Sequence, residues 1–564
     1  MLTSNPAKRK RLRGLTHEAK TMIDRYRELN DDRFDVIVVG AGTGGLTAAA
    51  ILARRGKKVL VVDQHSVAGG NATIFRRRGY EFDIGLHYIG ACQADGMLTR
   101  VLRAAGIADL EFEELDPDGY DTLVFPDFEF KIPKGMEVFR DRLCEYFPRE
   151  KRGIDRYLTL LRQMDRFSKL MGNPAQAPST LLRSLMLLRW RNATLGEFLD
   201  SCTRDARLKA VLTAQNGTYA LPPSRASLLV HAAIALHYME GAYYPKGGGQ
   251  VISDRLADAV ERYGGKVLLL TKVERIAVRD GKVEGVELDS RHLGRRFIRA
   301  PIVISDADLK RTMIDLVGAE HFHSKTVDRT RRFEMSPALG VLYLGIRRDL
   351  KAEDHPRTNY LINPGYDCEP AYAALARGEF PEQPFAYATI ASLKDPTNAR
   401  VAPHGITNLQ VMSIVPCDPT AWGISEEEAG SRNYRRSEGY RHHKLVYARS
   451  LIAATERVFP GLSQQIAFEE VATPLTQSRY TGSTGGTSYG IAPTPDQFLL
   501  RRPGSKTEVG GLYLCGASCR TGHGIMGTAL SGLMAAAEVT GDGLVREVLG
   551  PPPQGSGHRP LRTT

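Results

Sequence analysis

The sequence predicts an α/β fold. A Rossmann-type dinucleotide-binding domain is assembled from separated stretches of chain and completed by a substrate domain of mixed β-sheet and helices. Three observations carry that expectation. A strand–glycine turn–helix–strand–acid unit fills 34–63, a glycine-bounded helix followed by strands fills 245–310, and a strand entering a glycine-rich turn and a small-residue helix fills 511–537. At 564 residues the chain also exceeds one ordinary core, so two lobes are expected.

The first unit reads FDVIVVGAGTGGLTAAAILARRGKKVLVVD. Its β-branched run Val36-Ile37-Val38-Val39 predicts a buried strand. Gly40, Gly42 and Gly45 follow in G-x-G-x-x-G spacing, with Thr43 and Gly44 inside it. The first glycine permits a tight turn, the second lets the backbone reach a pyrophosphate, and the third lets helix and strand pack closely. Leu46, Ala49, Ala50 and Leu52 continue at helical density to Gly56; Val59–Val62 then forms a second strand, closed by Asp63, 23 positions after Gly40. The helix N-terminus offers free N–H groups and a positive dipole end to phosphates, and the acid can accept hydrogen bonds from a ribose diol. Gly69-Gly70-Asn71-Ala72-Thr73 comes next, where a glycine doublet can pass tightly under the nucleotide. The succession acid–GG–x–x–Thr sets the site apart from that of an NAD dehydrogenase and indicates FAD. Arg76-Arg77-Arg78 reads as a solvated basic turn, with phosphate neutralisation the alternative.

Composition is that of a globular protein, 42% hydrophobic and 25% charged. No apolar run approaches the ~18–20 residues that span a bilayer, and no secretory signal is expected. Seven scattered cysteines fit a reducing compartment, and Cys515 and Cys519 read as buried thiols rather than metal ligands, so no metal is expected. The net charge is +12 without a nucleic-acid module, which ranks an anionic membrane surface above nucleic acid as a partner. The run Lys8-Arg9-Lys10-Arg11-Leu12-Arg13 opens a basic N-terminal extension (1–33). Pro178–Arg191 sets leucines against Arg183, Arg189 and Arg191, with Trp190 near its end, and reads either as an interfacial helix of a helical, membrane-associating subregion or as an ordinary core helix. The expected location is the cytoplasm, peripheral on the inner face of a membrane.

Residues 96–244 read as mainly helical, with a hairpin around Val124–Ile132. After Pro245-Lys246-Gly247-Gly248-Gly249, a helix over Val251–Tyr263 and strands up to Ser305 return the chain to the nucleotide lobe. Strand-like pieces at Ala338–Ile346, Phe385–Ile390 and Asn408–Ile414 predict a sheet floor for a substrate cavity, with helices on its other side. His231 and His237 read as core or cavity-lining groups, and His442-His443 as solvated surface. The domain assignment is 34–95, 245–310 and 471–545 for the FAD-binding domain, 96–244 and 311–470 for the substrate domain, and a disordered tail at 546–564.

The phrase Gly79-Tyr80-Glu81-Phe82-Asp83-Ile84-Gly85-Leu86-His87-Tyr88-Ile89-Gly90, following the glycine doublet, resembles the flavoprotein group of phytoene desaturases, carotenoid isomerases and retinol saturases. The F-D-x-G-x-H-Y form leans toward the retinol saturase branch. The resemblance extends over most of 34–545 and is strongest in the cofactor segments. It implies that Val273 contacts adenine through its backbone, and that the helix after Gly511–Gly527 aims its N-terminus at the flavin pyrimidine, with Gly516, Gly524, Ile525 and Met526 as cofactor residues. A dipole there stabilises negative charge on reduced flavin. Ala517 stands where many related flavoproteins place Asp, which favours the phytoene desaturase side.

The chain has one dinucleotide fingerprint, so a built-in nicotinamide domain is not expected; a transient NAD(P)H, a quinone, oxygen or a carrier protein would exchange electrons with the FAD. The expected activity is hydride transfer at a C=C or CH–CH bond of a carotenoid, retinoid, isoprenoid or fatty-acyl chain. His87 and His523 are candidate acid–base groups, with Tyr480 and Tyr489 behind them. Three alternatives stand beside this reading: redox-neutral cis–trans isomerisation of a carotenoid, an amine-oxidase-like activity, and a non-catalytic prenyl- or lipid-binding escort protein of the same fold.

Overall fold

The computed structural model describes residues 29–551 apart from 172, 292, 432 and 542; the Lys8–Arg13 run lies outside the described residues. The organising element is a five-stranded parallel sheet. Its strands and covering helices are β1 (Val36–Val39), α1 (Thr43–Arg54), β2 (Val59–Val62), α2 (Val251–Arg262), β3 (Lys266–Leu268), β4 (Ile302–Ser305), β5 (Leu512–Leu514) and α3 (Gly524–Thr540). In space the order is β5-β4-β1-β2-β3. Val36 pairs with Val59 on one side and Ile302 on the other, so strand order reverses at β1. Ligands of open α/β sheets bind beyond the carboxyl ends of the strands at such a reversal, and the glycine turn leaves β1 there.

Helix α1 can lie buried from Thr43 to Ala53 because its residues are small. It packs between α2 and α3. A Cβ on Gly532 of α3 would lie 2.3 Å from the Gly44 carbonyl oxygen, so the two helices meet backbone to backbone.

The second lobe is a seven-stranded mixed sheet in the order 466–472, 338–346, 407–415, 386–389, 359–362, 121–124, 129–132. The pairing of 121–124 with 359–362 is parallel and the others are antiparallel. The period of two sorts its side chains. Val341, Tyr343, Leu361, Tyr387 and Met412 face a cavity shared with the nucleotide lobe. Leu342, Leu344, Ile362, Ala388 and Val411 face a second core, closed by the helix Glu438–Thr455.

Two expectations are corrected. Pro178–Arg191 is not one helix but two short ones, Ala177–Leu182 and Leu185–Arg189, broken at Arg183–Ser184. The tail expected at 546–564 is ordered at its start. A helix Leu544–Leu549 buries Leu544, Val548 and Leu549, and 552–564 lies outside the described residues. No helix among the described residues is long and apolar enough to cross a membrane.

Candidate functional site

A single cavity of about 1740 Å³ runs between the lobes. That exceeds the ~300–1,000 Å³ of an ordinary small-ligand pocket, leaving room for two ligands end to end.

Its first wall is the glycine turn. Gly40, Gly42, Thr43 and Gly44 line it, while Gly45 does not. Gly45 is a packing residue: its Cβ would lie 2.3 Å from the Gly40 carbonyl oxygen and 3.0 Å from Val38 Cγ1. Gly40, at φ +100°, takes the left-handed turn. Asp63 lines the wall at the end of β2. Its Oδ2 accepts the Ala41 N–H at 2.7 Å and its Oδ1 accepts the His65 N–H at 2.7 Å, which fixes the carboxylate toward the cavity. Gly69, Gly70 and Asn71 pass beneath, with the Gly69 N–H donating to the Ala41 carbonyl at 2.6 Å. The Asn71 amide joins distant chain: its Oδ1 accepts from Gln477 and its Nδ2 donates to the Ser488 carbonyl at 3.4 Å.

Val273 lines the cavity, but Pro245–Gly249 stays behind the wall. There the Gly249 N–H donates to Asp83 Oδ1 at 2.9 Å and the Gly247 N–H to Asp395 Oδ2 at 2.8 Å. The turn instead delivers Gln250, whose Nε2 donates to the Ala68 carbonyl at 2.8 Å.

The late loop supplies Ala517, Gly522, His523, Gly524, Ile525 and Met526 to the wall; Gly516 is set behind it, its N–H donating to Ser531 Oγ at 3.0 Å. No side chain caps the start of α3, and a Cβ on Gly524 would meet nothing within 4 Å, so open space stands over that helix end.

Both candidate histidines line the cavity. Burial, with Lys394 adding to it, pushes His87 down to about 3. Burial pushes His523 down to about 4. Its Nε2 donates to the Thr218 carbonyl at 3.0 Å, which leaves Nδ1 as an acceptor. Both rings are therefore neutral near pH 7, and neither stores a proton as imidazolium. Tyr480 and Tyr489 also line the cavity, and the Tyr489 hydroxyl donates to the Gly217 carbonyl at 3.0 Å.

Two groups escaped the sequence reading. Lys394 is 1% exposed, and its ammonium donates to the His87 carbonyl at 2.6 Å, to Asn359 Oδ1 and to Thr389 Oγ1. Asn359 in turn donates to Asp121, which also accepts from Tyr88 and Gln215. A buried charge network therefore backs the cavity wall at His87 and Tyr88. The second group is Asp306, just past β4. It lines the cavity beside the glycine turn, with backbone N–H groups of Gly45 and Gly42 directed at its carboxyl, and burial raises its pKa to about 7. The acid follows directly on the strand that ends at Ser305, but only the parallel pairing of β4 with β1 brings it to the turn.

A family model for an NAD(P)-binding Rossmann-like domain matches residues 38–105. The chain is 28% identical over 505 residues to the all-trans-retinol 13,14-reductase of Danio rerio, covering 86% of this chain and 82% of that protein. It is 26% identical over 530 residues to the chloroplastic prolycopene isomerase 1 of an Oncidium hybrid cultivar, covering 91% and 84%. Among solved structures, an oxidoreductase from Methanosarcina mazei superposes with a TM-score of 0.59 at 17% identity, covering 90% of this chain and all of that one. Fold, cavity and relatives define an oxidoreductase with a dinucleotide-cofactor site in its Rossmann-like lobe. Within that class the chain is similar in sequence to retinol saturase- and carotenoid isomerase-like enzymes over more than four fifths of its length.

Proposed function

We propose that the cofactor is FAD and that the enzyme acts on a C=C or CH–CH bond of a long apolar chain such as a carotenoid, retinoid or isoprenoid. One observation carries the reading: the glycine turn, Asp63, Val273 and the 522–526 loop line the same cavity as the apolar face of the seven-stranded sheet.

The residues present suit FAD. The turn leaves no room for side chains, since a Cβ on Gly42 would lie 2.3 Å from Asp306 Oδ2 and one on Gly44 would lie 3.1 Å from the Gly516 nitrogen. Helix α1 begins there without a side-chain cap, an anion-binding end. A carboxyl with a pKa of about 7 can be protonated beside a pyrophosphate and donate to it. When bound, FAD supplies hydride transfer to or from carbon.

The protein's own residues bind, orient and exclude water. Val341, Tyr387 and Met412 from the sheet and Val230 and Ile234 from the helix Leu228–Met239 give the apolar wall along which an extended chain can lie. Lys394 fixes the His87 backbone, and Thr218 fixes the His523 ring with its proton on Nε2. The relatives include both a reductase and an isomerase, so isomerisation without net redox change is the second reading. Anaerobic incubation of the FAD-loaded enzyme with polyene lipids, followed by mass spectrometry, separates the two. A two-hydrogen mass change supports redox chemistry, an unchanged mass with altered geometry supports isomerisation, and no altered product overturns both.

We also infer that the enzyme contacts a membrane surface. Leu182 is 71% exposed, Leu185 63% and Leu500 80%, and Arg501 Nη2 donates to Asn192 Oδ1 at 3.2 Å, joining the two segments. Arg183, Arg189 and Arg191 are also exposed in this stretch. Exposed leucines among arginines suit contact with anionic lipid. Phe498, two residues before Leu500, lines the cavity, which supports a patch that serves the entry of an apolar substrate.

A further inference from the structure

One arm of the cavity is not apolar. Arg77, Arg435, Lys444 and Arg479 all line it, and Glu470 is the acid among them. They come from separate elements: the strand Ile74–Arg77, the turn Tyr434–Arg436, the helix Glu438–Thr455 and the helix Pro474–Thr481. Arg77 Nη1 pairs with Glu470 Oε2 at 3.3 Å. Among the described residues, Arg435, Lys444 and Arg479 have no carboxylate within ion-pair distance. Instead, the Lys444 ammonium sits 5.6 Å over the Tyr440 ring and the Arg479 guanidinium 5.4 Å over the Tyr480 ring.

This is more than a solvated basic face. Lys444 is half-buried, and burial lowers its pKa; Glu470, the next largest influence, and Glu469 pull it up, while the charges of the exposed Arg77 and Arg435 push it down. Holding like charges together in a partly desolvated recess is costly, and an anion seated among them removes the cost. Guanidinium forks match phosphate oxygens in pairs, and an ammonium adds a point charge. The arm also adjoins the cofactor wall: the Tyr480 ring lies 5.3 Å from that of His65, and Gln477 bonds Asn71.

We propose that this arm is a binding site for a second, phosphate-bearing ligand, with Arg435, Lys444 and Arg479 as its anion contacts. The site stands on its own residues; its position beside the cofactor rests on the function proposed above. Two ligands share the required chemistry. One is a nicotinamide dinucleotide phosphate that delivers hydride to the cofactor and leaves as the oxidised nucleotide. The other is an apolar substrate with a diphosphate head, its tail laid along the sheet.

The test uses the FAD-loaded protein as wild type and as R435Q/K444Q and R479Q. Calorimetry measures binding of NADPH, NADH, inorganic pyrophosphate, geranylgeranyl diphosphate and geranylgeraniol. The expected result is at least tenfold weaker binding of the phosphate-bearing probes by the variants, a steep loss with added salt in the wild type, and unchanged binding of geranylgeraniol. If NADPH binds tighter than NADH and bleaches the cofactor band, the ligand is the hydride donor. If geranylgeranyl diphosphate binds tighter than its alcohol and NADPH does not compete, the ligand is the substrate head. Wild type that binds neither phosphate-bearing probe nor pyrophosphate overturns the proposal, as do variants that bind them unchanged. Absence of the FAD visible band in wild type is a separate failure, of the cofactor reading, and pyrophosphate binding still tests the arm in that case.

Discussion

Replacing Asp306 with Asn isolates one buried carboxyl at the cofactor turn. In the folded chain Asp306 keeps its proton up to about pH 7, against an ordinary value of 3.8, because burial outweighs the N–H groups of Gly45 and Gly42 that favour the anion. The unfolded chain releases that proton near pH 4. Between those values the folded state binds more protons, so stability falls as pH rises and levels off above about 7. A displacement of roughly three units at 1.36 kcal/mol each makes the loss about 4 kcal/mol. Asp306→Asn carries no titrating group, so it removes this component of the slope. Other buried acids, such as Asp83 with its pKa raised to about 6, titrate in both proteins and cancel in the difference. Urea denaturation of cofactor-free wild type and D306N at pH 5 and pH 8 is the assay. The variant's advantage over wild type should grow by a few kcal/mol between the two pH values. FAD affinity should show the same sign: a pyrophosphate beside Asp306 favours its protonated form, so wild type should bind more weakly as pH rises through 7, and D306N should flatten that dependence. Parallel pH profiles for the two proteins, in both stability and affinity, refute the reasoning.

The other predictions follow from geometry. Gly45→Ala drives a Cβ to 2.3 Å from a backbone carbonyl and should cost about 3 kcal/mol or more while abolishing FAD loading, whereas Gly365→Ala, with nothing within 4 Å, should be neutral; thermal melts and visible absorbance report both. Because the His523 ring is neutral down to about pH 4, kcat/KM should show no inflection near 6.5 that His523→Gln removes, and finding one would reverse the assignment. Leu182→Asp/Leu185→Asp removes two exposed leucines that would each contribute about 1.5–3 kcal/mol when buried in lipid, so co-sedimentation with anionic vesicles should weaken at least tenfold; equal binding removes the membrane contact.

Where the sequence reading succeeded, it did so because a local constraint shows up as a local pattern. Gly40 turns left-handed and Gly42 and Gly45 meet neighbouring atoms where a Cβ would clash, so their G-x-G-x-x-G spacing is visible without the fold. The near-continuous apolar run Ala338–Ile346 likewise reports a strand with two buried faces. What stayed hidden depends on pairing between remote segments. Lys394 looks like any surface lysine until strands at 121–124, 359–362 and 386–389 assemble around it. The leucines of 178–191 marked an apolar stripe, but not the break at Ser184, which is fully buried and interrupts one helix into two. The glycines of Pro245–Gly249 marked only the return of the chain to the nucleotide lobe. They serve a buried carboxylate, because Asp83 Oδ1 would lie 2.4 Å from a Cβ on Gly249.

The most direct test is reconstitution. The purified chain is titrated with FAD, freed of excess and denatured, and the released cofactor is identified by mass. The account predicts one FAD per chain, with loading lost in Gly45→Ala and retained in R435Q/K444Q. A folded chain that stays colourless after FAD addition, or that retains a nicotinamide dinucleotide in its place, contradicts it.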